Sequence, residues 1–278
     1  MNADRILRAV SSDGVEIAGR VRGEGPPLVF VHGALDDGEL DWGGLLPLLT
    51  DQFTCHVLSM RGRGLSGDGA DHSLERLARD VAAYVEQVGQ PCGVVGLSGG
   101  GMHSLGAAAR TGHISAVAAY EPIALEAIDR GAEARFNQVV DRMGDAVADD
   151  RPVDAVRTFL EFVGNDSEFA VLNEPGALKI ASRNLVIDLQ EFNEAADGGE
   201  RSPTAPSSLE GIAAPVLLMH GSRTALDWFT QSVRYYAENI PGAETRELSG
   251  AGHLGPILVP ERVARELLRF FGSDLEAA

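Results

Sequence analysis

The chain has 278 residues and 44% of them are hydrophobic, which is enough to bury the core of one α/β domain that carries an insertion. Its formal net charge of −18 at pH 7 argues against nucleic acid or an anionic membrane surface as a partner, because both require a basic protein face. No run of 18 apolar residues and no leader-like segment is visible, so we expect a cytoplasmic protein.

Short apolar runs that alternate with helical patterns predict a mostly parallel, twisted β-sheet with helices on both faces. Residues 5–22 alternate around the turn SSDG and predict a β-hairpin. Apolar residues at helical spacing predict helices over 74–88, 100–110 and 260–272. Six further strands are predicted over PPLVFVHG (26–33), FTCHVLSM (53–60), CGVVGL (92–97), ISAVAAYEP (114–122), APVLLMHG (214–221) and AETRELSG (243–250).

Residues 123–209 break this alternation. They contain helical patterns such as AVRTFLEFVG and no convincing strand, although strands are predicted on both sides. We therefore divide the chain into a core, residues 1–122 and 210–278, and an inserted helical cap, residues 123–209. Apolar cap side chains are expected to form a pocket wall or to pack the cap onto the core: Phe136, Phe159, Phe162, Phe169, Leu172 and Phe192.

One serine lies between glycines, directly after a predicted strand and before a predicted helix, in GLSGG (96–100). A sharp strand-to-helix turn strains its central residue, and glycines two positions before and after relieve the crowding. The serine hydroxyl then lies beside backbone N–H groups of the helix N-terminus, which favour developing negative charge. The pattern predicts Ser98 as a nucleophile.

A serine nucleophile requires a histidine base and an acid that orients the histidine. Among seven histidines, His253 is the best candidate, because its loop LSGAGHLGP lies between the last predicted strand and the closing helix. His32 and His220 lie at the ends of predicted strands and are interpreted as structural, although His32 is also expected to contact the substrate. His103 lies one turn along the helix after Ser98 and is expected to line that pocket.

These motifs together resemble the α/β-hydrolase superfamily over nearly the whole chain. The similarity lies in the order of His32-Gly33, RGRGLSG, the GLSGG turn, a cap, VLLMHG and GAGH. The resemblance implies an eight-stranded sheet, a serine nucleophile and an acid–histidine pair. It also implies an oxyanion hole made by the backbone N–H groups of Ala34 and Gly99.

The position that usually carries the acid departs from the family pattern. In most members the acid lies about three residues past the glycine of the strand that matches APVLLMHG, and here that residue is Thr224. Two substitutes remain open. Glu121 follows the earlier strand, where certain lactone hydrolases of this fold place their acid, and Asp227 lies three residues beyond Thr224, near the start of a predicted helix.

The expected activity is hydrolysis of a small to medium apolar carboxylic ester or lactone through an acyl-enzyme, with no cofactor and no metal. Hydrolysis of a carbon–carbon bond by the same triad and a ligand-binding receptor with little turnover are the alternatives. The expected partner is a small-molecule substrate, and a homo-oligomer is left open. The residues expected to contact the substrate are His32, Leu97, His103 and Trp228.

Overall fold

The computed structural model describes residues 5–173, 175–196 and 202–275. Its eight strands form one sheet in the order β1-β2-β4-β3-β5-β6-β7-β8. In chain order the strands are β1 (Arg5–Val10), β2 (Glu16–Arg22), β3 (Pro27–Val31), β4 (Thr54–Leu58), β5 (Cys92–Leu97), β6 (Ile114–Tyr120), β7 (Val216–Gly221) and β8 (Glu244–Leu248).

The predicted hairpin and the six predicted strands are all present. β1 pairs antiparallel with β2, and β2 pairs antiparallel with β4. The other neighbouring pairs, from β4–β3 to β7–β8, are parallel. The carboxyl ends of the parallel strands therefore share one edge of the sheet, where loops from several strands can meet. The predicted α/β fold class is confirmed.

Helices cover both faces of the sheet and the edge at the carboxyl ends of its strands. They are α1 (Glu39–Trp42), α2 (Leu74–Val88), α3 (Gly99–Ala108), α4 (Arg130–Ala148), α5 (Pro152–Val163), α6 (Asp166–Leu172), α7 (Pro175–Ala181), α8 (Leu185–Ala196), α9 (Pro206–Leu209), α10 (Asp227–Asn239), α11 (Gly255–Leu258) and α12 (Pro260–Leu275).

Alternate residues of each central strand face the two helical layers. On β3, Val29 and Val31 join the apolar cluster that includes residues of α2, α3 and α10, whereas Leu28 and Phe30 join the cluster that includes α12. Because both faces of the sheet are covered, successive residues of a central strand are buried on alternate sides. The parallel strands are therefore continuous apolar runs in the sequence.

The cap region is helical, as its pattern predicts. Helices α4 to α8 follow β6 and share an apolar cluster of their own. That cluster also contains Leu35 and Leu254 from loops at the carboxyl edge of the sheet and Phe229 from the first turn of α10, so the cap packs directly over this edge. The division into a core of 1–122 and 210–278 and a cap of 123–209 stays a prediction about folding units.

Candidate active site

Ser98 occupies a strained turn between β5 and α3. Its backbone has φ 55° and ψ −123°, a conformation that L-residues rarely adopt. Leu35 and Glu121 also have positive φ, at 65° and 41°. These two residues follow β3 and β6, the strands on either side of β5 in the sheet. Backbone strain of this kind is common at functional sites, and here it occurs at the carboxyl ends of three adjacent strands.

Two of the glycines around Ser98 are required by close packing. A Cβ atom at Gly96 would lie 2.5 Å from the carbonyl oxygen of Gly100. A Cβ atom at Gly100 would lie 2.3 Å from the carbonyl oxygen of His32. At Gly99 the nearest atom to such a Cβ would be Nε2 of His103, at 4.0 Å. The turn therefore needs glycine two positions before and two positions after the serine, as the sequence pattern predicts, and Gly99 has space for a side chain.

Glu121 and His253 are in direct contact, although 132 residues separate them in the chain. Nδ1 of His253 donates a hydrogen bond to Oε2 of Glu121 at 2.8 Å. The carboxylate also accepts the backbone N–H of Gly221 at 2.9 Å and the hydroxyl of Thr224 at 3.0 Å. Glu121 is fully buried, and these three donors satisfy both of its oxygens.

The predicted strand 114–122 ends two residues early, at Tyr120, which allows Glu121 to turn toward His253. Pro122 has no N–H to continue the sheet, and the positive φ of Glu121 bends the chain out of the strand. Asp227, the alternative acid, is the exposed first residue of α10. In the described part of the chain it makes no hydrogen bond to His253.

The loop that carries His253 is held from three sides. The ring of Phe229 stacks on the imidazole, with 3.9 Å between the ring centroids. Tyr120 donates its hydroxyl to the carbonyl of Gly252 at 2.7 Å. Leu254 donates its backbone N–H at 2.7 Å to Oε1 of Glu168, a buried residue of the cap helix α6. No motif in the sequence indicates this contact between the cap and the histidine loop.

The two amides expected to form an oxyanion hole flank Ser98. Within the described residues, neither the N–H of Ala34 nor that of Gly99 donates to a protein acceptor. Gly99 begins α3, so its N–H is one of the unpaired donors of a helix N-terminus. Gly33 packs against Ser98 and donates its own N–H to Oδ2 of Asp41 at 2.8 Å, which fixes the loop that carries Ala34.

Two cavities meet at Ser98. The aromatic chamber encloses about 790 Å³ including its opening. Its wall contains the rings of Phe136, Phe159, Phe162, Phe192, Trp228 and Phe229. The aliphatic chamber encloses about 530 Å³ including its opening. Its wall contains Leu97, Leu160, Leu172, Ala177, Ala181, His253 and Ile257. The residues common to both walls are Gly33, Ala34, Ser98, Phe159 and Val163.

The four residues predicted to contact the substrate divide between these chambers. His32, His103 and Trp228 line the aromatic chamber and Leu97 lines the aliphatic one. Trp228 donates its indole N–H to the carbonyl of Ala124 at 3.0 Å, so only the apolar surface of its ring is available to contact a ligand. Phe169, another cap residue considered for the pocket, lines neither chamber.

His32 is tied to the backbone by both ring nitrogens. Nδ1 donates to the carbonyl of Gly33 at 2.7 Å, and Nε2 accepts the N–H of Met60 at 3.1 Å. Burial lowers the pKa of His32 to about 4, so the ring is neutral at pH 7. Its geometry supports the interpretation that His32 shapes the loop after β3.

A charged cluster lies between the core and the cap helix α8, and three of its residues, Arg63, His103 and Glu191, line the aromatic chamber. One guanidinium nitrogen of Arg63 lies 2.6 Å from Asp188 and 2.6 Å from Glu191. Glu191 also accepts from Nε2 of His103 at 3.2 Å. Although burial opposes the effect, Arg63 lowers the pKa of Glu191 to about 2. Arg63 therefore forms ion pairs with two carboxylates of α8 at once.

The described residues contain neither a group of potential metal ligands nor a candidate membrane-spanning helix. Within residues 5–173, 175–196 and 202–275, no three His, Cys, Asp or Glu side chains are grouped as metal ligands would be. No helix in the same ranges combines the length and apolar character that crossing a bilayer requires.

Known proteins resemble the chain most extensively in fold. An alpha/beta hydrolase from Sphaerobacter thermophilus superposes with a TM-score of 0.72 and is 28% identical, covering 95% of this chain and 99% of its own. A pimeloyl-[acyl-carrier protein] methyl ester esterase from Methylococcus capsulatus is 41% identical over 86 residues, which are 31% of this chain and 32% of that protein. A pyrrolizixenacetamide deacetylase from Xenorhabdus hominickii is 37% identical over 67 residues, 24% of this chain and 25% of that protein.

The matched segment thus spans only about a quarter to a third of the length of these two curated relatives. The family model is more extensive, since the model described as the alpha/beta hydrolase family matches residues 28–266. That range begins in β3, runs through the turn at Ser98 and the loop of His253, and ends within α12. The chain belongs to the alpha/beta hydrolase family.

Proposed function

We propose that this protein is a serine hydrolase that cleaves a small to medium apolar carboxylic ester or lactone through an acyl-enzyme. The contact between Glu121 and His253, beside a chamber that Ser98 and His253 both line, is the observation that carries the proposal. The partial similarity to a methyl ester esterase and a deacetylase agrees with acyl transfer. A cytoplasmic location and the absence of a nucleic-acid partner stay predictions, the latter supported by the net charge of −18.

The first half of the reaction forms the acyl-enzyme. Because Nδ1 of His253 donates to Glu121, Nε2 is left to accept a proton. Ser98 Oγ attacks the ester carbonyl carbon while its proton passes to Nε2, and Glu121 stabilises the imidazolium that forms. The carbonyl oxygen becomes an oxyanion, which the N–H groups of Ala34 and Gly99 stabilise, and each such donor is worth about 3 kcal/mol. His253 then protonates the alkoxy oxygen, and the alcohol leaves.

The second half regenerates the enzyme with water. His253 accepts a proton from a water molecule, whose oxygen attacks the acyl carbon. The same two amides stabilise the second oxyanion. Collapse of this intermediate breaks the bond to Ser98 Oγ, and the proton on His253 returns to the serine. All of these steps use side chains, backbone amides and water alone.

The surroundings of Glu121 favour an enzyme over a receptor. A receptor with little turnover is expected if His253 has no acid partner, since the usual acid position carries Thr224. Thr224 donates to the carboxylate that contacts His253, so the acid function is present at another position.

A fluorophosphonate probe with a set of p-nitrophenyl esters tests the proposal. We expect the probe to label Ser98, and Ser98→Ala to lose labelling and to lower turnover by about 10⁶-fold. His253→Ala should also abolish labelling, because the hydroxyl is then no longer activated. Ester turnover near that of the wild type in a correctly folded Ser98→Ala variant would reject the mechanism.

A further inference from the structure

The two chambers diverge from Ser98, and only one of them is lined by the catalytic base proposed above. His253 is part of the aliphatic wall and not of the aromatic wall. Phe229 does line the aromatic chamber, and its ring stacks on the imidazole. A ligand in the aromatic chamber therefore meets Phe229, whereas a ligand in the aliphatic chamber meets His253 itself.

The chemistry of ester cleavage assigns the two chambers. The leaving alkoxy oxygen must come within hydrogen-bond reach of the imidazole that protonates it, so the alcohol lies on the side of His253. The acyl chain is bonded to the same carbon and extends in the other direction. We propose that the alcohol of the substrate occupies the aliphatic chamber and that its acyl group occupies the aromatic chamber. This inference rests on the proposed function.

The aromatic chamber is suited to a neutral acyl group that carries an aryl ring. Phe136 makes edge contacts with Phe192 and Trp228 at centroid distances of 5.3 and 5.8 Å, and lies 6.2 Å from Phe162. Offset or edge contacts between aromatic rings are favourable beyond the apolar area that they bury. The charged groups on this wall, Arg63 and Glu191, form an ion pair with each other, which favours a neutral acyl group over an acidic or basic one.

The aliphatic chamber is suited to a short, neutral alcohol. It is the smaller of the two, and its wall carries leucine and alanine side chains together with two buried carboxyl groups, Asp36 and Asp41. Both carboxyl groups accept backbone N–H donors, Asp36 from Asp41 and Asp41 from Gly33. The described residues that line this wall include no lysine or arginine that could bind an alcohol carrying a negative charge. The preferred substrate class is therefore the ester of an arylalkanoic acid with a short aliphatic alcohol.

A pair of isomeric esters provides the first test. Methyl 3-phenylpropanoate carries its ring on the acyl side, and 2-phenylethyl acetate, which has the same atoms, carries it on the alcohol side. We expect kcat/KM to be at least about tenfold higher for methyl 3-phenylpropanoate. Moving a few carbon atoms of a substrate out of the apolar pocket that fits them lowers kcat/KM by about that factor. Equal values, or a preference for 2-phenylethyl acetate, would overturn the assignment.

Two alanines of the cap supply matched variants. Ala195 of α8 lines only the aromatic chamber, Ala177 of α7 lines only the aliphatic chamber, and both are half-buried. Ala195→Leu should lower the kcat/KM ratio of methyl 3-phenylpropanoate to methyl acetate. Ala177→Leu should lower the ratio of butyl acetate to methyl acetate. Ala134→Leu, at an exposed position of α4 outside both walls, should leave both ratios as in the wild type. An exchange of the two effects would contradict the assignment.

Labelling by the fluorophosphonate probe separates this inference from the proposed function. If Ser98 is not labelled and no ester is hydrolysed, the proposed function itself fails. If Ser98 is labelled and the isomer preference is absent or reversed, the chamber assignment fails alone. If Ser98 is labelled and neither isomer is hydrolysed, the proposed substrate class is wrong.

Discussion

Thr224 donates its hydroxyl to Oε2 of Glu121 at 3.0 Å, and the same oxygen accepts the hydrogen bond from His253. The residue at the position that usually carries the orienting acid in this family therefore donates to the carboxylate that we propose as the acid in this protein. Thr224 follows β7 and His253 follows β8, and both side chains reach an oxygen of Glu121, which follows β6, because these three parallel strands are neighbours in the sheet.

Loss of the carboxylate at Glu121 should be far more damaging than loss of the one at Asp227. Glu121→Gln removes the charge that stabilises the imidazolium, and we expect kcat to fall by about 10³ to 10⁴-fold. Asp227→Asn changes an exposed side chain at the start of α10, and we expect activity within twofold of the wild type. Steady-state hydrolysis of one p-nitrophenyl ester by both variants is the measurement. Full activity of Glu121→Gln would refute the assignment of the acid.

Returning an acid to the usual position should restore part of the lost activity. In a Glu121→Gln, Thr224→Asp double variant, the new carboxylate lies where the threonine hydroxyl approaches the same site. We expect kcat to recover at least about tenfold relative to Glu121→Gln alone, because the restored charge again stabilises the imidazolium. Thr224→Asn in the same background is the matched control, since an amide carries no charge and should give no recovery.

The glycines of the turn at Ser98 should differ sharply in their tolerance of alanine. Gly100→Ala would place a methyl group 2.3 Å from the carbonyl oxygen of His32 and 2.4 Å from that of Val31. Both are backbone atoms, so we expect a loss of about 3 kcal/mol in the free energy of unfolding. Gly99→Ala meets no atom closer than 4.0 Å and lies in the first turn of α3, so we expect at most a small change. Urea denaturation of the two variants compares them directly, and equal destabilisation would contradict this account.

The sequence predicts those features of the fold and site that depend on local pattern. The turn at Ser98 requires glycine at 96 and 100, and that requirement can be read from five consecutive letters. Glu121 is identified as a candidate because it follows an apolar run, and the ends of such runs meet at one edge of a parallel sheet. Which of Glu121 and Asp227 contacts His253 depends on which loop bends toward the histidine, and no local pattern encodes that.

The contacts between cap and core could not be predicted in this way. Glu168 and Leu254 are 86 residues apart, and Arg63 and Asp188 are 125 residues apart. Both contacts depend on how the inserted helices lie across the sheet edge, which no periodicity encodes. Glu168 is the third residue of a helix capped by Asn165, so the sequence assigns it a local role in helix capping. That pattern does not indicate that the same carboxylate also contacts the histidine loop.

Glu168 should act as a positioning residue for His253. Its carboxylate accepts the N–H of Leu254 at 2.7 Å and that of Asn165 at 3.0 Å, so an amide in its place would turn an NH₂ group toward one of these donors. We expect Glu168→Gln to lower kcat about tenfold with little change in KM, and to slow labelling of Ser98 by the fluorophosphonate probe. Glu161→Gln, at an exposed position of α5, is the matched control and should behave as the wild type. A purely structural role of Glu168 would lower the unfolding midpoint and leave kcat unchanged.

His32 should make stability depend on pH in a defined direction. Burial lowers its pKa from 6.5 to about 4, so the folded protein binds fewer protons at this site than the unfolded chain between these values. The contribution of the neutral ring to stability is complete above pH 6.5 and is lost as the pH falls toward 4, by about 3 kcal/mol in total. Asp41 contributes a slope of the opposite sign, because burial raises the pKa of its carboxyl group.

Comparing the wild type with a His32→Gln variant isolates the contribution of His32 to the pH dependence of stability. Asp41 is present in both proteins, so its contribution cancels. His32→Gln removes the titrating ring and keeps a polar side chain near the N–H of Met60 and the carbonyl of Gly33. The difference in unfolding free energy between the wild type and this variant should be largest at pH 8 and should shrink steadily from pH 6.5 to pH 5. Urea denaturation at four pH values measures it, and a difference that stays constant over this range would show that the ring is not held neutral by burial.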